Sequence, residues 1–314
     1  AIFGKRRCIM NETASLSICV THPDVSLRSV LASIPGNEAN AVDLIARGGV
    51  WVNGVRVRDP EMRLPAGATI IVQRPPDGVY RDPVVTQEMI LYEDDDLIAI
   101  DKPVDAYVEA TPWDAEGHLR MALVRFLTTR DGFAPSLHLA HRLDRDTSGV
   151  LLISKTSDVN AALQRTFHEG TAHKTYLALC AGLPDFDEIE IETGHGRGRG
   201  GLFRVFPREE IGRVLPQGGT VKAMRTRLKV IRRMDDATLV CAWPLTGRTH
   251  QIRLHLAFLG HPLIGDVKYG GPSTWRGVAV HHHHLHARQL ELPHPRSGAM
   301  LIIESPTPAW ANQR

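Results

Sequence analysis

The chain has 314 residues, 43% of them apolar, 23% charged and 6% aromatic. The apolar and charged shares are near globular averages and exclude collagen, a disordered tail or a disulfide miniprotein. Its length suggests about two domains, and 37 Lys+Arg against 35 Asp+Glu give a formal charge of only +2. That total argues against an obvious polyanion binder, yet such binding needs a basic face and not a basic sum. No apolar run approaches the roughly 20 residues of a membrane helix. The basic Lys5-Arg6-Arg7 start has no apolar stretch of a secretory signal behind it. Cys8, Cys19, Cys180 and Cys241 form no CxxC pair and read as reduced, buried thiols of a cytoplasmic protein.

In chain order, residues 1–21 read as an N-terminal extension and 22–75 as a small α+β module. Val25 to Leu31 and Ala41 to Arg47 have helical spacing, with Gly48-Gly49 as a stop signal. Val50-Trp51-Val52 runs into Asn53-Gly54, a strong hairpin signal, and Val55, Val57 and Ile70 to Val72 supply further strands. Arg74-Pro75-Pro76-Asp77-Gly78 and Pro83 have linker composition. Residues 76–88 therefore read as a linker and 89–314 as a second, larger domain.

In that domain Leu97 to Ile100 is a short apolar strand, and Leu119, Leu123, Phe126 and Leu127 mark a helix face. Leu137 to Leu143 and Val150 to Ser154 read as strands flanking a polar turn. Ser157 is placed as the N-cap of a helix buried through Val159, Leu163 and Phe167 and ended by Gly170. Strands are expected at Tyr176 to Cys180, Met224 to Ile231 and Thr238 to Pro244. A last helix, from Thr249 to Gly260, buries Ile252, Leu256 and Leu259.

Charge is unevenly spread. Asp77 to Asp101 holds eight acidic residues against Arg81, whereas Gly194 to Arg233 holds eleven Lys/Arg against Glu209 and Glu210. The basic stretch reads as substrate binding: its glycines let the backbone approach phosphates that Arg197, Arg199 and Arg204 neutralise. A solvated loop is the plainer reading of the same residues.

Two stretches stand out for chemistry. In His141-Arg142-Leu143-Asp144-Arg145-Asp146-Thr147-Ser148-Gly149 the last four residues are explicable as a turn. Turn chemistry does not explain Arg142 and Asp144 at i, i+2, on one face of a strand, and an ordinary ion pair is the plainer alternative. Leu245 to His255 places Arg248, His250 and Arg253 at or near a helix N-terminus, where anions are favoured. The run His281-His282-His283-His284-Leu285-His286 raises a metal site, but no cysteine or paired carboxylate stands near it. No metal is assigned.

With Asp101-Lys102-Pro103, Lys174-Thr175-Tyr176, Gly260-His261-Pro262, Gly265-Asp266 and Tyr269-Gly270, these blocks resemble the RluA-type family of RNA pseudouridine synthases. The resemblance runs from about Ile90 to Pro295. The stretch Ile45 to Gly54 is similar to an S4-type RNA-binding domain. The resemblance implies an α+β pseudouridine synthase fold: a mixed, mainly antiparallel sheet flanked by helices, behind a small S4-like domain. It implies isomerisation of uridine to pseudouridine in large-subunit ribosomal RNA. Transfer RNA is the alternative substrate, and a non-catalytic RNA-binding or assembly factor the alternative role.

By that resemblance Asp144 is the catalytic carboxylate, Arg253 its partner and Tyr176 the ring that packs on the target uracil. Arg142 helps displace the base. With the basic segment, the expected RNA-binding residues are Arg142, Arg197, Arg199, Arg204, Arg248 and His250, the five arginines building a positive cleft face. The reaction needs no cofactor, and neither GxxxxGK[ST] nor a helix-opening GxGxxG is present. After Lys102-Pro103 the family's small residues and histidine are replaced by Val104 to Glu109, which leaves that loop open. RNA is the expected partner, with no membrane association, for a monomer in the cytoplasm.

Overall fold

The computed structural model describes residues 3–6, 15–34, 40–198 and 202–313. Its contacts divide the chain into two compact units, Ala1–Val85 with Tyr107–Arg130, and Thr86–Ala106 with Asp131–Arg314.

The first unit contains β1 (Phe3–Arg6), β2 (Ser15–Val20), β3 (Val25–Ser26), α1 (Leu27–Ala32), α2 (Ala41–Arg47), β4 (Val50–Val52), β5 (Val55–Arg56), β6 (Arg63–Leu64), β7 (Thr69–Gln73) and α3 (Leu119–Asp131). A five-stranded sheet runs β1-β2-β7-β4-β5. Leu27, Leu31, Ile45, Val50 and Ile70 form its fully buried centre. Asn53 and Gly54 have φ of 50° and 81°, the type I′ geometry that an Asn-Gly turn favours. Gly48 ends α2 in the left-handed region, as the sequence predicts.

Three features differ from the sequence reading. Val25 and Ser26 are extended, not helical, because Ser26 caps α1 through its Oγ, which accepts from Ser29 N at 3.3 Å. Residues 15–20, read as part of an extension, pair with both β1 and β7. Tyr107–Arg130, read as part of the second domain, belongs to this unit: Trp51 Nε1 donates to Pro112 O, and Arg47 Nη1 donates to the buried Asp114 at 3.0 Å.

The second unit holds β8 (Ile90–Glu93), β9 (Leu97–Lys102), β10 (His138–Leu139), β11 (Ser148–Ser154), α4 (Ser157–Glu169), β12 (His173–Ala181), β13 (Glu188–Arg197), β14 (Phe203–Phe206), β15 (Lys222–Arg233), β16 (Ala237–Pro244), α5 (Gln251–Phe258), β17 (Thr274–Trp275), β18 (Val278–Ala279), β19 (Leu285–Pro293), β20 (Met300–Glu304) and α6 (Ala309–Asn312). Its main sheet runs β14-β13-β15-β16-β12-β19-β11-β9-β8, with β10 on β11 and β20 on β19. All the pairings are antiparallel except β11 with β19.

The strand sequences reflect their places. β11 is buried from Gly149 to Ser154, a near-continuous apolar run covered on both faces. β15 alternates exposed charges with buried Met224, Thr226 and Leu228, as a half-buried strand should. Val159 and Leu163 of α4 pack on Leu97, Val150, Leu152 and Leu290; Ile252 and Leu256 of α5 pack on Ala178, Leu228, Val240 and Leu263. Each such aliphatic side chain contributes about 1.5–3 kcal/mol on burial.

The parallel pair is short. Ser148↔His286 and Gly149↔Ala287 are its two register pairs, and through them the β8–β9–β11 part joins the rest of the sheet. A Cβ on Gly149 would lie 2.2 Å from Ala287 O, and its φ is 105°. Only glycine permits this approach.

Element boundaries shift for local reasons. The strand expected at Leu137–Leu143 is reduced to β10, because the His141 ring takes the next partner on β11: its Nε2 accepts from Leu152 N at 2.9 Å. The N-cap of α4 is Thr156 and not Ser157. α5 begins at Gln251, since His250 has φ 58° and cannot join a helix. Cys180 and Cys241 are buried, Cys19 is exposed, and Cys8 lies outside the described residues. Among the described residues no helix is long and apolar enough to cross a membrane.

Candidate active site

Asp144 sits in the irregular stretch between β10 and β11, on a turn closed by Thr147 N donating to Asp144 O. Lys102, fully buried at the end of β9, anchors that turn: its Nζ donates to Pro103 O, Arg145 O and Thr147 O at 2.8, 2.7 and 2.9 Å. Burial pushes its ammonium down to about 7, against the attraction of Asp146 and Asp144. The three carbonyls match the three N–H donors of the charged form. From the other side, the histidine run holds the same turn. His283 Nε2 meets Thr147 Oγ1 at 2.9 Å and His286 Nδ1 meets Ser148 Oγ at 2.8 Å. Among the described residues no three His, Cys, Asp or Glu side chains are grouped to hold a metal ion.

The Asp144 carboxylate accepts from Arg253 Nη1 at 3.0 Å. Arg253 projects from the first turn of α5 and is buried to 6% exposure. Its Nε and Nη2 donate to the two oxygens of buried Asp266 at 2.7 and 2.8 Å. Burial alone would lower the guanidinium's pKa, but Asp266 and Asp144 raise it well above its ordinary value. One fork of donors thus serves two carboxylates, with the bidentate Nε–Nη2 face turned to Asp266 and Nη1 turned to Asp144.

His250 closes the other side. Its Nδ1 lies 2.6 Å from Tyr269 Oη and its Nε2 lies 3.8 Å from Asp144 Oδ2. Burial pushes the imidazole down to about 4, so it is neutral at pH 7. The Tyr269 ring also carries Arg253 at 5.0 Å from its centroid.

These groups open into a cleft of about 1150 Å³ that Arg142, Asp144, Tyr176, Arg248, His250 and Arg253 all line. Tyr176 is half-buried on β12, and burial, aided by the Asp144 charge, raises its phenol. Arg142 is exposed at the rim. Arg248 is steered by backbone: its Nε donates to Ala223 O, and its N–H donates to Gln251 Oε1. Arg165, Lys174 and Arg225 also line the cleft, so it is strongly basic.

Arg197 and Arg204 do not line it. They lie on the β13–β14 hairpin, over Phe203 at 4.9 Å and Phe206 at 4.4 Å. Arg197 is one ring removed from the site, because Phe203 meets His250 edge-on at 5.9 Å. Arg199 lies outside the described residues. The basic segment is also less free than its sequence suggests. Arg225 pairs with Glu190, Arg227 with Glu188, Arg208 with Glu192 and Arg233 with Asp187.

Asp266, Tyr269 and Lys102 appear in the sequence as motif letters without a role. Their signal was partly legible: Asp266 stands beside Gly265, whose added Cβ would lie 2.2 Å from His282 O, and near Gly271, equally tight against Leu263 O. Closely spaced glycines of this kind mark backbones packed around a functional group.

The second unit's mixed sheet thus carries an arginine-bound carboxyl group in a basic cleft, a site suited to chemistry on an anionic substrate. Residues 96–258 match the RNA pseudouridylate synthase family. The chain is 38% identical over 262 residues to an RNA pseudouridine synthase 1 of Oryza sativa subsp. japonica, covering 71% of this chain and 74% of that one. It is 32% identical over 317 residues to ribosomal large subunit pseudouridine synthase C of Escherichia coli strain K12, covering 94% of each. A solved structure of human RNA pseudouridylate synthase domain containing 4 superposes with a TM-score of 0.57 at 25% identity, covering 71% of this chain and 90% of that one. The chain belongs to the RNA pseudouridylate synthase family and is an isomerase with its α+β fold.

Proposed function

We propose that this enzyme isomerises uridine to pseudouridine in large-subunit ribosomal RNA, with Asp144 as the reacting carboxylate. The observation that carries the reading is the Arg253 fork, whose Nη1 donates to the Asp144 carboxyl group in the cleft while Nε and Nη2 hold Asp266. The names of the bacterial relatives support ribosomal RNA as the substrate. In the reaction the N1–C1′ bond breaks, the uracil turns, C5 joins C1′, and the proton lost from C5 is balanced by one gained at N1. Asp144 starts it, Arg253 holds the carboxylate, and Tyr176 supplies a ring to an unstacked base. Arg142, at the rim, fills the space the base leaves, and Arg248 meets the phosphates. His250 contributes beside Asp144, while Arg197 and Arg204 extend RNA contact along their hairpin.

The two helices and the Asn53-Gly54 hairpin of residues 22–75 support an S4-like RNA-binding role for that module. The free thiols of Cys19, Cys180 and Cys241 support a reducing cytoplasmic setting for an enzyme that works as a monomer.

The test is tritium release from ribosomal RNA labelled at C5 of uridine. Asp144→Asn should abolish release while leaving thermal unfolding and RNA binding unchanged. Retained release in that variant overturns the assignment.

A further inference from the structure

The Lys174-Thr175-Tyr176 block gives Tyr176 a role and leaves Lys174 without one. Both line the catalytic cleft from β12, and Thr175 between them does not, as strand alternation requires. Lys174 is half-buried, and burial pushes its ammonium below the ordinary lysine range. Among the described residues that ammonium makes no hydrogen bond and no ion pair, and no carboxylate charge offsets its burial. Lys102 is the contrast: three carbonyls receive its N–H groups, and Asp146 and Asp144 attract its charge.

His141 cannot serve as the partner. Burial, aided by the Lys174 charge, pushes the His141 imidazole down to about 3. Nε2 of that neutral ring accepts from Leu152 N, so its one proton sits on Nδ1. Neither nitrogen has a lone pair left for an ammonium. The ring is also fixed in place, stacked on Phe167 at 4.5 Å and 21°.

The arginines that line the cleft are placed differently. Arg253 serves two acids, Arg248 is held by Ala223 O, and Arg225 pairs with Glu190. Arg142 and Arg165 are exposed, where water meets their charge. Among the described residues of the cleft, Lys174 is the cation that is both desolvated and unpaired. Such a charge costs free energy until an anion joins it. Lysine takes a phosphate as a point charge, and RNA carries a phosphate at every nucleotide.

We propose that Lys174 binds a phosphate of the substrate strand, next to the base that packs on Tyr176. The proposal rests on the function given above. The two residues stand one strand repeat apart, roughly 6.6 Å, so β12 holds the base with one side chain and its backbone with the other. A phosphate contact of this kind sets register and orientation without reading sequence.

The experiment measures binding of a fluorescein-labelled decauridylate to the full-length protein by anisotropy, from about 50 to 200 mM salt. Each phosphate contact to a single strand contributes about 0.7 to the slope of log K against log salt. Lys174→Met keeps the aliphatic stem and removes the charge. It should flatten the slope by about 0.7 and raise Kd about tenfold at low salt. Its unfolding temperature should be at or above that of wild type, because an unpaired desolvated charge has gone. Lys174→Arg should keep the wild-type slope. On substrate RNA, Lys174→Met should raise KM about tenfold and change kcat only a few-fold. An unchanged slope in Lys174→Met overturns the proposal even if affinity falls, since the lost contact is then not to a phosphate. A slope in Lys174→Arg as flat as that of Lys174→Met also overturns it. Lys174→Gln gives the same reading if the methionine variant does not fold. The binding assay needs no turnover, so an enzyme inactive on ribosomal RNA defeats the proposed function and leaves the slope readable.

Discussion

Arg253 Nη1 lies 3.0 Å from Asp144 Oδ2, and it is the one donor of the guanidinium fork not aimed at Asp266. A lysine has a point charge and no planar fork, so it cannot serve both acids. Arg253→Lys should lower kcat/KM by about a hundredfold and stability by about 3 kcal/mol, because Asp266 stays buried with its pairing broken. Tritium release and urea unfolding measure the two effects. Activity within a few-fold of wild type would show that Asp144 does not depend on this geometry.

The Tyr269 hydroxyl sets the ring of His250, at 2.6 Å from Nδ1. Tyr269→Phe removes one hydrogen bond, of about 1 kcal/mol, and should lower kcat several-fold without weakening RNA binding. Because burial holds His250 near 4, kcat should show no His250 limb between pH 6 and 8. A limb near pH 6.5 that disappears in His250→Gln would contradict the neutral assignment.

His255 and His286 are buried, at 0% and 3% exposure, and burial pushes each down to about 4. The unfolded chain binds their protons near pH 6.5 and the folded one does not, so stability rises with pH between about 4 and 6.5. Each contributes a slope of up to about 1.4 kcal/mol per pH unit in that window and none above it. Urea unfolding at pH 7.5, 6 and 5 should show the decline. His255→Gln should flatten it by up to one proton's worth.

Gly149→Ala places a Cβ 2.2 Å from Ala287 O at a φ of 105°. The two parts of the sheet meet there, so the variant should be recovered largely insoluble or unfolded. Gly212→Ala also falls at a positive φ but has no atom within 4 Å. It should fold with a loss of about 1 kcal/mol. Circular dichroism of the two proteins provides the comparison.

Much of this architecture was legible locally. The stops at Gly48, Gly170 and Gly260, the Asn53-Gly54 turn and the apolar run of β11 are written in residues that act on their immediate neighbours. The motif blocks likewise brought out Asp144, Tyr176 and Arg253, which line one cleft. Where the reading of boundaries failed, a particular side chain or dihedral had intervened: the Ser26 cap, the φ of His250, and the His141 ring, which took the Leu152 N–H that a longer β10 would have used.

The near-neutral charge shows the same division. The sequence alone determined that acidic and basic residues are segregated along the chain, and that several blocks of one enzyme family stand in order. Only the tertiary structure decided what those charges do. Sheet register sets Glu188, Glu190 and Glu192 of β13 against β15, and much of the basic segment is neutralised by such acids. The fold also brings Arg253 to Asp144 across 109 positions. Propensity and turn chemistry reach a few residues; which charges meet depends on strand pairing and on burial that desolvates one pair and leaves another in water.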